Sequence, residues 1–172
     1  MKPANTTCPP PPAFIALGSN LGDSRRILEA AFARLQQLSA TPVRRSSLWR
    51  SAPVDCPLGS PDFLNAVAAI TPLPDETPES LLAKLRALEV EFGRAPKLVQ
   101  NEPRPLDLDL IAFGSEVRAT DELTLPHPRA RVRRFVLSPL SELAPDLILP
   151  GQGRTVAELL DALTTTERIE RC

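Results

Sequence analysis

No apolar run of about 18 residues occurs in this sequence, and the N-terminal MKPANTTCPPPPAF offers one lysine and then prolines where a secretory leader would be apolar. Neither a membrane span nor a cleaved leader is expected, and the cytoplasm is the expected location. Cysteine is scarce: Cys8, Cys56 and Cys172 are too widely spaced for CxxC pairs, which argues against a zinc site of that kind and against a disulfide framework. All three read as incidental thiols. Basic excess is lacking as well, with 20 lysines and arginines against 21 acids and a net charge of −1, so no nucleic-acid partner is expected. Aromatic residues amount to six phenylalanines, one tryptophan and no tyrosine, and there is a single histidine, His127.

What is present fits one globular unit. The 172 residues, 42% of them hydrophobic, suffice for one core. Pro9 to Pro12 predict an extended, mobile arm over residues 1–12, ahead of one domain over 13–172. Phe14 to Leu17 reads as a strand, followed by the turn GSNLGD and a helix from about Ser24 to Leu38. Ile27, Ala31, Leu35 and Leu38 are helically spaced, and Asp23 or Ser24 can cap the helix. Strands are expected within Val43 to Arg50 and within Asp62 to Thr71, joined by the loop SAPVDCPLGSP. A second helix starts at Thr77 with Pro78 in its first turn, carries Leu81, Leu82, Leu85 and Leu88 on one side, and stops at Gly93. A fourth strand covers Leu106 to Phe113. Residues 124–140 read as loop and short strand, and a closing helix is expected near Val156 to Leu163. Strand, helix, strand, strand, helix, strand is the βαββαβ order of a ferredoxin-like α+β fold with a split βαβ core, here with an additional C-terminal strand and helix.

Within the fourth strand, PRPLDLDL alternates leucine and aspartate. Period two puts Leu106, Leu108 and Leu110 on one face and both carboxylates on the other, with their Cα atoms roughly 6.6 Å apart. Such a pair is either a solvated face or a cation site. Two carboxylates without a histidine pair suit Mg²⁺, which keeps waters and shares its shell with phosphates. Arg94, Lys97 and Arg104 precede the pair, and Arg129, Arg131, Arg133 and Arg134 follow it, so cations flank it from both sides. Arg94 and Arg104 can reach the aspartates and neutralise charge moving between phosphate oxygens.

The turn GSNLGD lacks the GxxxxGK[ST] pattern of a P-loop, and its glycines read as conformational, allowing a tight strand-to-helix turn. His127, between two prolines, reads as a structural hydrogen-bonder or, with Arg133 near, as a donor to phosphate. Phe63 and Phe135, each taken alone, read as core.

ALGSNLGD at 16–23, DFLNAV at 62–67, LEVEFGR at 88–94, PRPLDLDLIAFG at 103–114 and LPHPRARVRRFVLSPL at 125–140 together resemble the 6-hydroxymethyl-7,8-dihydropterin pyrophosphokinase family, from about Phe14 to Pro150. The resemblance implies transfer of diphosphate from ATP, as co-substrate, to the hydroxymethyl group of the reduced pterin, in folate biosynthesis. It implies two Mg²⁺ ions on Asp107 and Asp109, and Arg94 and Arg104 beside them as catalytic groups. It implies pterin contacts at Ser51, Ala52, Val54, Phe63, Asn65 and Phe135, the phenylalanines stacking on the ring. Glu89, Arg94, Arg104, Leu110, Leu123, Thr124, His127 and Arg133 would meet ATP, and the enzyme would be a monomer.

Two departures stand out. The loop after Arg94 has Pro96, Lys97, Gln100 and Asn101 where some relatives carry an aromatic residue and further arginines, and Glu122 stands where some carry arginine. An Mg²⁺-dependent nucleotide hydrolase and a non-enzymatic nucleotide-binding module of the same fold are the alternatives. A simple hydrolase would not need Phe63, Asn65 and Phe135, and in the binding module the aspartates should survive replacement without loss of ligand affinity in Mg²⁺-free buffer.

Overall fold

The computed structural model describes residues 10–54, 56–95 and 102–172. Strand β1 (Ala13–Ser19) is buried along nearly its whole length, because it lies inside an antiparallel sheet with one face covered by α1 and α2 and the other covered in part by α3 and α4. In chain order there follow α1 (Ser24–Leu35), β2 (Arg44–Arg45), β3 (Trp49–Ser51), β4 (Phe63–Ile70), α2 (Pro78–Glu91), β5 (Asp107–Phe113), β6 (Arg118–Ala119), β7 (Thr124–Leu125), α3 (Arg134–Leu143), α4 (Val156–Asp161) and β8 (Ile169–Arg171). The main sheet runs β5-β1-β4-β3-β8, with β2 also on β4, while β6 and β7 form a separate hairpin. No helix among the described residues is long and apolar enough to cross a membrane.

Alternation along the strands sends two sets of side chains to two cores. Ile15, Leu17, Ala66, Ala68, Ile70, Leu108 and Leu110 pack under Leu28, Ala31, Phe32 and Leu35 of α1 and Leu81, Leu85 and Leu88 of α2. Phe14, Val67, Ala69, Ile111 and Ala112 pack under Val136, Leu137 and Leu140 of α3 and Val156 of α4. Each fully buried large aliphatic side chain contributes roughly 1.5–3 kcal/mol. Caps set the helix starts: Asp23 Oδ1 accepts the Arg26 N–H at 3.1 Å, and Thr77 with Ser80 forms a capping box behind Pro78.

Several expectations are corrected. The first helix is α-helical only to Leu35, with Gln36–Leu38 in a 3-10 turn. Leu28 and Phe32, with Ala31 and Leu35, form its fully buried stripe, while Ile27 and Leu38 sit at the margin. The strand expected over 43–50 is broken in two: Ser46 Oγ accepts the Val67 N–H at 2.9 Å, taking the place of a backbone carbonyl. The stretch read as loop and short strand is so as far as Arg133, but from Arg134 it is helix α3, whose spacing of Val136, Leu137 and Leu140 is masked in sequence by Pro139 inside the helix. Pro9 and the loop positions Pro96, Lys97, Gln100 and Asn101 lie outside the described residues.

A β-bulge interrupts the pairing of β1 with β5. Phe14 pairs with Ala112 and Ile15 with Leu110, so Ile111 is the extra residue. Its carbonyl accepts the His127 N–H at 2.9 Å, which fastens the segment carrying the only histidine to the aspartate strand.

The arm meets the fold at Gly114, whose N–H donates to Pro12 O at 3.0 Å. Gly114 has φ +53°, and a Cβ there would lie 2.7 Å from Pro11 Cγ, whereas at Gly22, with φ +81°, it would meet only Ile27 Cδ1 at 3.5 Å. Gly22→Ala is expected to cost about 1–2 kcal/mol for its left-handed backbone, and Gly114→Ala clearly more, in urea unfolding. Equal losses would contradict the seating of Pro11 against this turn.

Candidate active site

On one face of the sheet the side chains dwindle along β1. β1 presents Phe14, then Ala16, then Gly18. Ala16 is in register with Val67 and Asp109, and Gly18 with Asn65 and Asp107. Phe14 and Val67 belong to the core under α3; beyond them the small residues leave the sheet uncovered, and the aspartates and Asn65 stand on that open floor. Gly18 is thus part of the floor, not of the turn in which its conformational freedom was expected to serve.

Asp107 is gripped from both sides. Arg94 Nη1 donates to its Oδ1 at 2.8 Å and Arg104 Nη2 to its Oδ2 at 2.9 Å. Arg94 also pairs with Glu89, and Glu89 Oε1 accepts the Leu108 N–H at 2.7 Å, so α2 and β5 are tied together through the same group. Asn20, 3% exposed, accepts the Arg104 N–H on Oδ1 at 2.9 Å and returns its own N–H to Arg104 O at 3.2 Å. The carboxylate of Asp109, in contrast, accepts no hydrogen bond and makes no ion pair among the described residues.

Two cavities meet over this pair. One, of about 270 Å³, is lined by Ser51, Ala52, Val54, Cys56, Phe63, Asn65, Val132, Phe135 and Glu167. The other, of about 390 Å³, is lined by Leu82, Arg86, Glu89, Arg94, Leu110, Asp121, Glu122, Leu123, Thr124 and His127. Arg104, Asp107, Asp109, Arg129 and Arg133 border both. In the first, guanidinium groups lie over rings, Arg104 5.7 Å from the centre of Phe63 and Arg133 5.3 Å from that of Phe135. Asn65 Nδ2 donates to Ser51 Oγ at 2.9 Å and to Trp49 O at 3.3 Å, which leaves its Oδ1 as an acceptor beside Gly18.

The electrostatics follow from burial and crowding. Burial and then the neighbouring Asp107 raise the Asp109 carboxyl above its usual range, against His127, Arg133 and Arg104. A cation bound there would relieve that strain, so the donor set fits Mg²⁺. Burial pulls His127 below 6.5 despite Asp109, so the ring is neutral at pH 7. Its Nδ1 accepts the Arg129 N–H at 3.3 Å, which leaves the proton on Nε2 as a donor. Burial also lifts Glu89 to about 7, over the opposing pull of the Leu108 amide and Arg94.

Residues 14–145 match the family model described as 7,8-dihydro-6-hydroxymethylpterin-pyrophosphokinase (HPPK). The chain belongs to this family. A protein of Pseudomonas aeruginosa named 2-amino-4-hydroxy-6-hydroxymethyldihydropteridine pyrophosphokinase is 42% identical over 159 residues, 92% of this chain and 94% of that relative. Proteins of the same name from Haemophilus influenzae and Synechocystis are 41% and 38% identical, covering 86% and 90% of this chain and 90% and 77% of theirs. In fold the chain is similar to a solved HPPK-DHPS in complex with substrates, with a TM-score of 0.70 at 11% identity over 90% of this chain and 45% of that one. A Plasmodium falciparum HPPK-DHPS with pteroate gives a TM-score of 0.68 at 12% identity, over 88% of this chain and 43% of that one. The chain therefore spans less than half the length of these two solved chains.

The six residues expected at the pterin lie on the pyrophosphokinase fold around the first cavity, and the eight expected at ATP around the second, with Arg104 and Arg133 on both. Several residues of the site were missed, two that line a cavity and one that holds a lining residue. Asn20 acts from the strand-to-helix turn, and no local pattern marks it. Arg129 was visible only as one member of a basic cluster, and Cys56 was read as incidental yet lines the first cavity. Arg86 donates to Glu122 O at 3.2 Å, so an arginine borders the cavity even though position 122 is acidic.

Glu89 generates a pH prediction. The folded state holds its proton more tightly than the unfolded chain, so stability falls as pH rises from 4.5 to about 7 and is level beyond. Glu89→Gln keeps an acceptor for the Leu108 N–H and should flatten that slope in urea titrations without Mg²⁺ or nucleotide. An unchanged slope would contradict the buried, protonated carboxyl.

Proposed function

We propose that this chain transfers the β,γ-diphosphate of ATP to the hydroxymethyl oxygen of 6-hydroxymethyl-7,8-dihydropterin, releasing AMP and the pterin diphosphate, as a step of folate biosynthesis. One observation carries the reading: an aromatic cavity and an arginine-rich cavity share a border at two carboxylates. A flat heteroaromatic ring needs the first and a triphosphate the second, and only at their border can a hydroxyl meet a phosphorus.

In the first cavity Phe63 and Phe135 stack on the pterin, Asn65 Oδ1 accepts from its rim, and backbone groups at Ser51, Ala52 and Val54 meet its edge. In the second, Arg94, Arg104, Arg133 and the Nε2–H of His127 bind phosphate oxygens, while Glu89, Leu110, Leu123 and Thr124 lie around the nucleotide. Asp107 and Asp109 would hold two Mg²⁺ ions, which when bound supply charge neutralisation and alignment of the phosphates. The pterin hydroxyl oxygen bonds to the β-phosphorus, the bond from that phosphorus to the α-phosphate bridge breaks, AMP leaves, and the hydroxyl proton passes to solvent. No side chain among the described residues is placed as a strong general base; positioning does most of the work.

On this reading residues 13–172 are one domain behind the proline arm of 1–12, and the enzyme is a cytoplasmic monomer. The order β5-β1-β4, continued by β2 and β3, supports a ferredoxin-like βαββαβ core extended by α3, α4 and β8. A simple hydrolase would have no use for the aromatic cavity, and a binding module would not need its ligand held at a pair of carboxylates.

Phosphorus NMR of the protein with ATP, Mg²⁺ and the pterin should show AMP and a pterin diphosphate, both dependent on pterin. ADP, or AMP formed without pterin, would overturn the reading. Asp109→Asn should lower kcat by about a hundredfold or more, since a poorly held metal removes several kcal/mol of transition-state stabilisation. Wild-type turnover in this variant at limiting Mg²⁺ would remove Asp109 from the metal site.

A further inference from the structure

We infer that Glu167 is a positioning residue for the aromatic cavity and that residues 163–171 brace its two walls, an inference that rests on the pterin reading of that cavity. The segment lies beyond residue 145, where the family match ends. Leu163, Thr165, Glu167 and Ile169 are half-buried and the residues between them exposed, the period of an extended chain lying against a surface. Glu167 is the one charged residue on the inward side.

On one wall, β8 pairs with β3, Ile169 opposite Ser51 and Arg171 opposite Trp49, and Arg171 Nε donates to Ser47 Oγ at 2.9 Å. Ser51 is the residue whose Oγ holds Asn65. On the other wall, Glu167 accepts the Arg134 N–H on Oε2 at 2.7 Å. Arg134 is the first residue of α3, and the preceding Arg133 supplies no side-chain cap. Glu167 therefore caps this helix from a distance of 33 residues in sequence, with its charge at the favourable end of the helix. The next residue is Phe135, and Glu167 lines the same cavity. The polar edge held by Ser51 and the ring face of Phe135 are thus fixed relative to each other through one stretch of chain.

The test is steady-state kinetics of the full chain carrying Glu167→Ala or Glu167→Gln, with amide hydrogen exchange at Arg134 as a second readout. Glu167→Ala should raise the KM for pterin about tenfold, as loss of a cap would, while the KM for ATP and the kcat stay within about twofold. Exchange at the Arg134 amide should quicken. Glu167→Gln, which keeps an acceptor oxygen, should restore most of both. A wild-type pterin KM in Glu167→Ala, in a preparation whose wild-type turnover needs pterin, overturns the inference, as does a fall in kcat alone, the mark of a lost folded fraction. Wild-type protein without pterin-dependent turnover overturns the pterin reading itself and the inference with it.

Discussion

The carboxylate of Asp107, held between the guanidinium groups of Arg94 and Arg104, is the contact on which the rest of the site depends. Two unit charges roughly 6 Å apart at an effective dielectric constant of about 20 repel by about 3 kcal/mol, a large share of the roughly 5–15 kcal/mol that stabilises a domain. Asp107 and Asp109 can share a strand only with cations close by. Arg94 and Arg104 supply them on one side, and Arg129 and Arg133 border the pair on the other. On the proposed reading the same arginines would bind a phosphate chain, so the groups that stabilise the folded strand are those a nucleotide would draw toward itself.

Position comes from the sheet. The taper from Phe14 through Ala16 to Gly18 closes one end of the sheet face under α3 and leaves the other end open. At the bulge the extra residue Ile111 turns its carbonyl to His127, so a helix cover, an open floor and a fastened histidine arise within a few residues of one strand pair. Rigid strands carry the carboxylates, and the cavity residues Arg133 and Phe135 ride on the start of α3 and the residue before it. Such a division suits a reaction in which positioning supplies most of the catalysis.

Much of this was legible in the sequence wherever a periodic pattern carried it. Alternation at 106–110 separated leucines from aspartates, and the leucines of α2 lie buried as spaced, Leu82 alone being only partly covered. What escaped reading has no local period. Ser46 breaks a strand by bonding Val67, 21 residues away, and Asn20 holds Arg104 across 84 residues. Glu167 looks like one charge in a polar tail until β8 is seen beside β3. Helix α3 was hidden by Pro139, whose missing N–H normally ends a helix interior and is tolerated here under the packing of Val136, Leu137 and Leu140. The departures in the 96–101 loop fall outside the described residues.

On the proposed reading the two substrates meet at the aspartate pair. The most direct test is a crystal structure with Mg²⁺, the pterin and an ATP analogue whose α–β bridge is methylene. The pterin should lie between Phe63 and Phe135 with its hydroxymethyl oxygen facing the β-phosphorus, and Asp107 and Asp109 should be on the metal ions. A nucleotide bound with its phosphates away from this pair, or bound there without metal on either carboxylate, would contradict the reading.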